Sequence, residues 1–217
     1  MRIKPKAVLF DLDGTLADTA PDLIGAVNRS RGKIGLSPLP SEQLRPLVSQ
    51  GVEALVQQGF GTRDRTLINA KKTEVLDDYR KNIALTTRLF EGFESVLERL
   101  EKSTIPWGIV TNKPHYLTTA LLKELDLNNR VACAVSGDTV SHSKPHPAPL
   151  LKAAQDIRVA PSDCLYVGDA EGDVIAAKAA GMRVLVALYG YISQRECPEK
   201  WEATGTIQRP TDIIEWV

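Results

Sequence analysis

The sequence predicts an α/β fold built as a doubly wound parallel sheet, with a helical segment inserted after the first strand. Three observations predict it: short apolar runs recur, helical patterns separate them, and one gap is much longer than the others. Continuous apolar runs are typical of strands buried on both faces of a parallel sheet. The runs cover residues 7–10, 107–110, 132–135, 164–167 and 184–188.

Two segments between these runs, 92–102 and 114–125, repeat apolar residues at helical spacing. The apolar positions are Phe93, Val96, Leu97 and Leu100 in the first segment and Leu117, Leu121 and Leu122 in the second. Parallel strands need long crossover connections, which helices usually supply. The alternation of strand and helix therefore predicts an α/β core.

The first two predicted strands are separated by roughly 95 residues, far more than one crossover needs. This gap has helical signals of its own at Pro21-Asp22, at Ser41 and over residues 64–83. The apolar positions of the last stretch are Leu67, Ile68, Val75, Leu76 and Tyr79. We therefore predict a helical cap domain over residues 16–85, inserted into a core made of residues 1–15 and 86–217.

Two carboxylates follow the first predicted strand. Asp11 comes directly after the apolar run, Asp13 lies two residues on, and Gly14 and Thr15 add a turn and a hydroxyl. Carboxylates this close repel each other, so one pKa rises unless a cation or a shared proton relieves the repulsion. The pair indicates one nucleophile, one acid/base and a divalent metal. Taken alone, it also fits a polar turn after a strand.

Polar segments also follow the next three predicted strands. They are Thr111-Asn112-Lys113, the segment 141–145 and the segment 168–173. Catalytic residues in open α/β sheets gather outside the carboxyl ends of the strands. We therefore expect four strand ends to carry the chemistry.

The residue types at these ends complement one another. A phosphate needs hydrogen-bond donors and positive charge, which Thr111, Asn112 and Lys144 supply. A divalent metal needs oxygen ligands, and Asp11 and Asp169 are well placed to provide them. Hard oxygen ligands with retained waters indicate Mg²⁺.

Three of these positions have a second interpretation. Asp173 either binds the metal directly or orients Lys144. Thr111 and Asn112 also suit a cap for the helix that follows them. Both roles are compatible, because a helix N-terminus attracts phosphate.

Composition and charge argue against several classes of partner. The 217 residues include 27 basic and 27 acidic side chains, so no basic field favours nucleic acid or a membrane surface. No apolar run approaches the length of a membrane span. The three cysteines, Cys133, Cys164 and Cys197, are odd in number and widely spaced, which predicts a reducing, cytoplasmic compartment.

The four motifs, in this order and at these strand ends, resemble the haloacid dehalogenase-like hydrolases. They are most similar to the phosphoglycolate phosphatase-like branch, which carries a helical cap after the first motif. The resemblance covers nearly the whole chain and implies the strand order three-two-one-four-five. That order places the ends of the first and fourth strands side by side, where Asp11 and Asp169 fall.

The resemblance also implies roles. Asp11 would attack phosphorus and form an aspartyl-phosphate. Asp13 would protonate the leaving oxygen and then activate water, and its backbone carbonyl would bind Mg²⁺. Thr111 and Lys144 would hold the phosphoryl group, and Asp169 would complete the metal site. The second carboxylate favours a phosphatase or mutase, because related transport ATPases carry Thr there and dehalogenases lack it.

The predicted metal ligands are Asp11, Asp13, Asp169 and Asp173. The predicted substrate contacts are Thr15 and Asn112 in the core and Arg45, Gln50 and Gly51 in the cap, in the region where such caps usually face the active site. Arg45 has two interpretations: it meets a substrate carboxylate bidentately, or it is an ordinary solvated helix arginine.

The main hypothesis is a Mg²⁺-dependent phosphatase acting on a small phosphorylated metabolite, with phosphoglycolate the leading substrate by resemblance. N-acetylmuramic acid 6-phosphate or another sugar phosphate is the closest alternative. The sequences of residues 107–114 and 189–192 also resemble those of N-acetylmuramic acid 6-phosphate phosphatases. A β-phosphoglucomutase-type phosphomutase and a non-catalytic phosphate-binding regulatory module are further alternatives. We expect a monomer or a homodimer.

Overall fold

The computed structural model describes residues 4–217, so residues 1–3 of the predicted core lie outside the described residues. Within residues 4–217 the strands are β1 (Ala7–Phe10), β2 (Ala17–Asp18), β3 (Arg88–Leu89), β4 (Trp107–Val110), β5 (Cys133–Val135), β6 (Cys164–Gly168), β7 (Arg183–Ala187) and β8 (Gly205–Ile207). The α-helices are α1 (Ala20–Gly32), α2 (Ser41–Leu44), α3 (Val52–Phe60), α4 (Arg65–Lys81), α5 (Phe93–Lys102), α6 (His115–Glu124), α7 (Ala148–Ile157) and α8 (Glu171–Ala179). Short 3₁₀ segments cover Arg45–Gln50, Pro161–Asp163, Pro198–Lys200 and Pro210–Trp216.

Six parallel strands form the main sheet in the order β5-β4-β1-β6-β7-β8. The fold class is therefore confirmed, and the five predicted strands take the order three-two-one-four-five. The sixth strand, β8, was not predicted, because its three residues include Gly205 and Thr206 and form no apolar run. The sheet order places the ends of β4 and β6 on either side of the end of β1.

The core lies on both faces of this sheet. Alternate residues of β1 belong to different apolar clusters: Val8 and Phe10 to one, Ala7 and Leu9 to the other. All four side chains are fully buried, as the continuous apolar run predicts. Helix α5 covers the first face, and the Phe10 and Phe93 rings meet edge to face at 5.2 Å.

The helices α1 to α4 lie between β2 and β3, and α1 packs against α3 and α4. The two short strands pair antiparallel, Ala17 with Leu89 and Asp18 with Arg88. This pairing brings the two ends of the helical segment together beside the end of β1. The exact boundaries of the predicted cap stay a prediction.

Two details of the helical segment go beyond the sequence prediction. Helix α3 was not predicted. In α4 the buried positions are Ile68, Val75 and Tyr79, whereas Leu67 is 41% exposed. Leu67 is adjacent to Ile68, and consecutive helical residues point about 100° apart. Leu67, although apolar, therefore lies off the buried face of α4.

Over residues 4–217 no helix combines the length and the apolar character that a membrane span requires. The three cysteines are free thiols. Cys164 is fully buried in β6, and Cys133 is half-buried in β5.

Candidate active site

Three neighbouring strands of the main sheet end in polar side chains. Asp11 follows β1, Thr111 follows β4 and Asp169 follows β6, and each is at most 8% exposed. Because β1 lies between β4 and β6, these residues meet at one edge of the sheet, as predicted. The main-chain N–H groups of Asp11 and Thr111 continue the ladder, bonding the carbonyls of Val167 and Val135.

Lys144 lies within this group of carboxylates. Its ammonium nitrogen is 3.0 Å from Asp11 Oδ1 and 2.7 Å from Asp173 Oδ1, and it also donates to the Val110 carbonyl at 2.8 Å. Burial alone would lower the pKa of Lys144, but the charges of Asp11 and Asp173 raise it. The lysine therefore stays a cation beside Asp11.

Three buried carboxylates crowd the same place. Asp11, Asp169 and Asp173 each have an oxygen within 4.8 Å of the other two. Burial, with the charges of Asp173 and Asp169, raises the pKa of Asp11, although Lys144 opposes the rise. Burial and the charge of Asp173 also raise the pKa of Asp169. One lysine is too little positive charge for three carboxylates, so the arrangement favours a further cation.

Asp173 is bonded through both of its oxygens. Oδ1 accepts hydrogen bonds from Lys144 at 2.7 Å and Tyr166 at 2.9 Å, and Oδ2 accepts the Ala170 N–H at 3.1 Å. These contacts fit the predicted role of orienting Lys144, which stays a prediction. Its role as a metal ligand stays a prediction.

The carboxylate of Asp13 is held by two side chains, Lys113 and Thr19. Its Oδ1 accepts hydrogen bonds from Lys113 Nζ at 2.9 Å and from Thr19 Oγ1 at 2.6 Å. The Lys113 ammonium also lies 4.6 Å from the centre of the Tyr79 ring in α4. Sequence reasoning did not single out Lys113. Its position two residues after Thr111, in the same strand-end motif, was the available signal.

Two predicted substrate contacts are bonded to other site residues. Thr15 Oγ1 donates to Asp169 Oδ1 at 2.9 Å. The Asn112 amide accepts from the Lys144 N–H at 3.0 Å and donates to the Lys144 carbonyl at 2.9 Å. Thr15 and Asn112 therefore position Asp169 and Lys144. Contact of either residue with a substrate stays a prediction.

The carboxylate of Asp169 is bonded from both the core and the cap. Its Oδ2 accepts the Tyr191 N–H at 2.9 Å and the Ser49 hydroxyl at 2.7 Å. Gly14, with φ of +85°, permits this close packing, because a Cβ there would lie 2.3 Å from Asp169 Oδ2. Ser49 precedes the predicted contacts Gln50 and Gly51 in the cap segment expected to face the active site, and the folded cap brings it to the end of β6.

Arg45 contacts Asp18 of β2 and the Tyr191 ring of the core. Its guanidinium donates to Asp18 Oδ2 at 2.9 Å and lies 4.8 Å from the centre of the Tyr191 ring. The Tyr191 hydroxyl donates to the other oxygen of Asp18 at 2.8 Å. In this arrangement Arg45 links the cap to the core, and its predicted contact with substrate is untested.

A cavity of about 570 Å³ lies between the sheet edge and the helical segment. Its catalytic end is lined by Asp11, Asp13, Thr111, Asn112, Lys113, Lys144 and Asp173. Its cap wall includes the predicted Gln50 and Gly51, with Ser49, Glu53 and Lys72. The cavity therefore joins the predicted nucleophile to the cap residues that a substrate would meet.

Comparison with known proteins decides the family. A sequence model of the family described as haloacid dehalogenase-like hydrolase matches residues 8–187, which span the sheet edge and the helical segment. The chain belongs to this family. The resemblance in the four strand-end motifs is thereby confirmed.

Relatives in this family name the reaction class. The phosphoglycolate phosphatase of Xanthomonas campestris pv. campestris (strain 8004) is 44% identical over 211 residues, 97% of this chain and 96% of that protein. The N-acetylmuramic acid 6-phosphate phosphatase of Pseudomonas aeruginosa is 36% identical over 215 residues, 99% of this chain and 95% of that protein. The chain is thus a haloacid dehalogenase-like phosphatase, a phosphoric monoester hydrolase.

Solved structures of the family show the same fold. The crystal structure of a predicted phosphoglycolate phosphatase from Haemophilus somnus 129pt matches with a TM-score of 0.88 over 98% of both chains, at 24% identity. CbbY from Rhodobacter sphaeroides, in complex with xylulose-(1,5)bisphosphate, matches with a TM-score of 0.78 over 96% of both chains, at 20% identity. At these identities the likeness extends to the fold.

Proposed function

We propose that this haloacid dehalogenase-like phosphatase hydrolyses a small phosphomonoester with Mg²⁺, through an aspartyl-phosphate on Asp11. The observation that carries the proposal is the placement of Asp11. Its carboxylate faces the cavity, lies 3.0 Å from the Lys144 ammonium and has an oxygen within 4.8 Å of oxygens of Asp169 and Asp173.

The donor set fits Mg²⁺. The candidate ligands are carboxylate oxygens of Asp11 and Asp169, with the Asp13 backbone carbonyl and Asp173 as the further predicted ligands. The raised pKa values of Asp11 and Asp169 indicate that these buried carboxylates need more positive charge than Lys144 supplies. When bound, Mg²⁺ offsets the negative charge of the carboxylates and of the phosphoryl oxygens.

Asp11 is positioned for nucleophilic attack. Its Oδ1 accepts the Leu12 N–H at 2.8 Å and the Lys144 contact at 3.0 Å, which fix the orientation of the carboxylate. A carboxylate oxygen bonds to phosphorus as the bond from phosphorus to the leaving oxygen breaks. Lys144 and Thr111 stabilise the negative charge on the transferring phosphoryl oxygens.

Asp13 supplies the acid and then the base. It gives a proton to the leaving oxygen in the first step and takes a proton from water in the second. Water then bonds to phosphorus, and the carboxylate of Asp11 is released with inorganic phosphate. Lys113 and Thr19 hold the carboxylate of Asp13 in one orientation, which supports a positioned acid/base.

The cap shields this chemistry from bulk water. Ser49 of the cap bonds Asp169 of the core, and Tyr79 of the cap packs over Lys113 of the core. Opening and closing of such a cap would admit substrate and release product.

The relatives support phosphoglycolate as the leading substrate and N-acetylmuramic acid 6-phosphate or another sugar phosphate as the alternative. A phosphomutase would return an isomerised sugar phosphate in place of inorganic phosphate, so product analysis separates the two. A regulatory module would bind phosphate without turnover. The cytoplasmic location and the monomeric or homodimeric state stay predictions.

The first test is hydrolysis of p-nitrophenyl phosphate with and without Mg²⁺ by the wild-type protein and the Asp11→Asn variant. We expect Mg²⁺-dependent release of phosphate, reduced by about 10⁴-fold or more in the variant because the nucleophile is removed. Asp126→Asn is the matched control, since Asp126 is exposed and its φ of +56° suits Asn. Wild-type turnover by Asp11→Asn would contradict the nucleophile assignment.

A further inference from the structure

The cavity carries one more positive charge than the proposed chemistry uses, on Lys72 of helix α4. We propose, building on the proposed phosphatase activity, that the substrate carries a second anionic group on a body larger than two carbons, which favours the larger alternative substrates over phosphoglycolate. Lys72 binds that group and thereby selects the substrate.

The three lysines that line the cavity differ in their partners. Lys144 is bonded to Asp11 and Asp173, and Lys113 is bonded to Asp13. Lys72 forms neither an ion pair nor a hydrogen bond within residues 4–217, although its side chain is half-buried against the cavity. Its ammonium is therefore available to a ligand.

Three glutamates line the cavity: Glu53 and Glu196 are bonded to other residues, and Glu171 is exposed at the start of α8. Glu53 lies on α3 and lines the cavity, but its carboxylate is bonded to Arg65 at 2.7 Å. Glu196 also lines the cavity, and its carboxylate accepts the Ser193 N–H at 2.7 Å. Lys72 is consequently the cation at the cap end of the cavity that an anionic substrate group meets without displacing a protein carboxylate.

The cavity is also larger and more apolar than a two-carbon acid phosphate requires. Its volume of about 570 Å³ falls within the range of about 300–1,000 Å³ that is typical of pockets for drug-sized ligands. Six branched aliphatic side chains contribute to its apolar lining: Leu23, Val48, Val52, Leu55, Leu76 and Leu117. This wall suits the carbon body of a substrate that spans from Lys144 to Lys72.

Either a carboxylate or a second phosphate satisfies a lysine at this position, because the ammonium is a point charge with freely rotating donors. Charge-assisted hydrogen bonds are roughly twice as strong as neutral ones. A substrate that lacks the second charge would leave Lys72 unpaired in a half-buried wall, so discrimination is expected to be large.

The experiment uses pairs of phosphomonoesters that differ in the second charge. N-acetylmuramic acid 6-phosphate is compared with N-acetylglucosamine 6-phosphate, and fructose 1,6-bisphosphate with fructose 6-phosphate. A small pair, 2-phosphoglycolate and 2-hydroxyethyl phosphate, tests the size of the body. Phosphate release gives kcat and KM for each compound with saturating Mg²⁺.

Three variants identify the residue. Lys72→Met keeps the length of the side chain and removes the charge, and Lys72→Arg keeps the charge. Lys81→Met is the matched control, because Lys81 is an exposed lysine of the same helix. We expect the wild-type protein to prefer the charged member of a large pair by roughly 10- to 100-fold in kcat/KM. Lys72→Met should abolish that preference, mainly through KM, while Lys72→Arg retains most of it and Lys81→Met leaves it unchanged.

A preference in the first pair identifies a carboxylate as the bound group, and a preference in the second identifies a phosphate. The proposal is overturned if no large pair shows a preference, if the preference survives Lys72→Met, or if only the small pair shows one. Failure of the proposed function looks different: wild-type protein would then release no phosphate from p-nitrophenyl phosphate with Mg²⁺.

Discussion

The sheet edge and the cap wall bound the same cavity but differ in how their charges are satisfied. At the sheet edge, Asp11 and Asp173 share Lys144, and Asp13 is paired with Lys113. On the cap wall, Lys72 has no such partner among the described residues. Groups that react must be held in place before the substrate arrives, whereas groups that recognise it must be free to bind. We therefore assign the reaction to the sheet edge and the recognition of the substrate to the cap wall.

Among the lysines of the cavity, removal of the central cation of the sheet edge should have the largest effect. Lys144→Met leaves the carboxylates of Asp11 and Asp173 without their shared partner and removes a donor to the phosphoryl group. We expect kcat/KM for p-nitrophenyl phosphate to fall by about 10³-fold. Thermal unfolding should show a lower Tm, because an unpaired buried charge is costly.

Lys152→Met is the control for this change, since Lys152 pairs with Asp156 on the surface of α7. An exposed pair contributes about 0–1 kcal/mol, so its loss should leave activity unchanged and Tm nearly so. Equal activity of Lys144→Met and Lys152→Met would show that Lys144 takes no part in the reaction.

A change at Lys113 should have a smaller effect that depends on the leaving group. Lys113 contacts the proposed acid, Asp13, so Lys113→Met should impair protonation of the leaving oxygen. We expect kcat to fall by roughly 10- to 100-fold with alkyl phosphates and less with p-nitrophenyl phosphate, whose leaving group needs little protonation.

Lys123→Met, an exposed change at the end of α6, is the matched control. Identical losses on alkyl and aryl phosphates would show that Lys113 does not act through the acid step. Measurement of kcat and KM separately keeps a binding effect distinct from positioning.

The site residues at the strand ends were predictable because each follows the apolar run of its strand closely in the sequence. A continuous apolar run predicts β1, and Asp11 follows it directly. The cap side was less predictable. Lys72 reaches the site only through the packing of α4 against α1 and α3, which no local pattern encodes.

Contacts also changed the interpretation of residues that the sequence did identify. Arg45 was predicted either as a substrate contact or as a solvated helix arginine, and its guanidinium is bonded to Asp18. Thr15 and Asn112 were predicted in the same role and are bonded to Asp169 and Lys144. A residue type indicates what a side chain can bind, while its partner depends on tertiary distances that a motif does not contain.

The contact between Ser49 and Asp169 tests whether the cap also serves the metal site. Ser49→Ala removes a 2.7 Å hydrogen bond to a predicted ligand. Loss of a partner that orients a metal ligand typically weakens metal binding about 10- to 100-fold. We expect the Mg²⁺ concentration for half-maximal activity to rise by about 10-fold, with Ser37→Ala, an exposed change in the cap, as the control. An unchanged Mg²⁺ dependence would confine the metal site to the core.

The smallest expected effect is the pH dependence of the stabilisation by Mg²⁺, measured as a change in Tm. In the metal-free protein, burial raises the pKa of Asp11 from 3.8 to about 8 and that of Asp169 from 3.8 to about 6. Between the unfolded pKa of 3.8 and the raised pKa of each carboxyl group, the folded state therefore binds more protons than the unfolded state. Their contribution to the free energy of unfolding is greatest below pH 3.8 and is lost as the pH rises towards 8.

Mg²⁺ should reverse this loss, because it binds the ionised carboxylates. At 100 times its Kd, a ligand adds about 2.7 kcal/mol to the free energy of unfolding. At pH 5.5 protons compete for Asp11 and Asp169, so a fixed Mg²⁺ concentration should raise Tm less at pH 5.5 than at pH 8. Lys72→Met should leave this difference intact, because its charge lies on the cap wall and not among the carboxylates. An equal Mg²⁺ shift at both pH values would mean that the metal does not bind these two carboxylates.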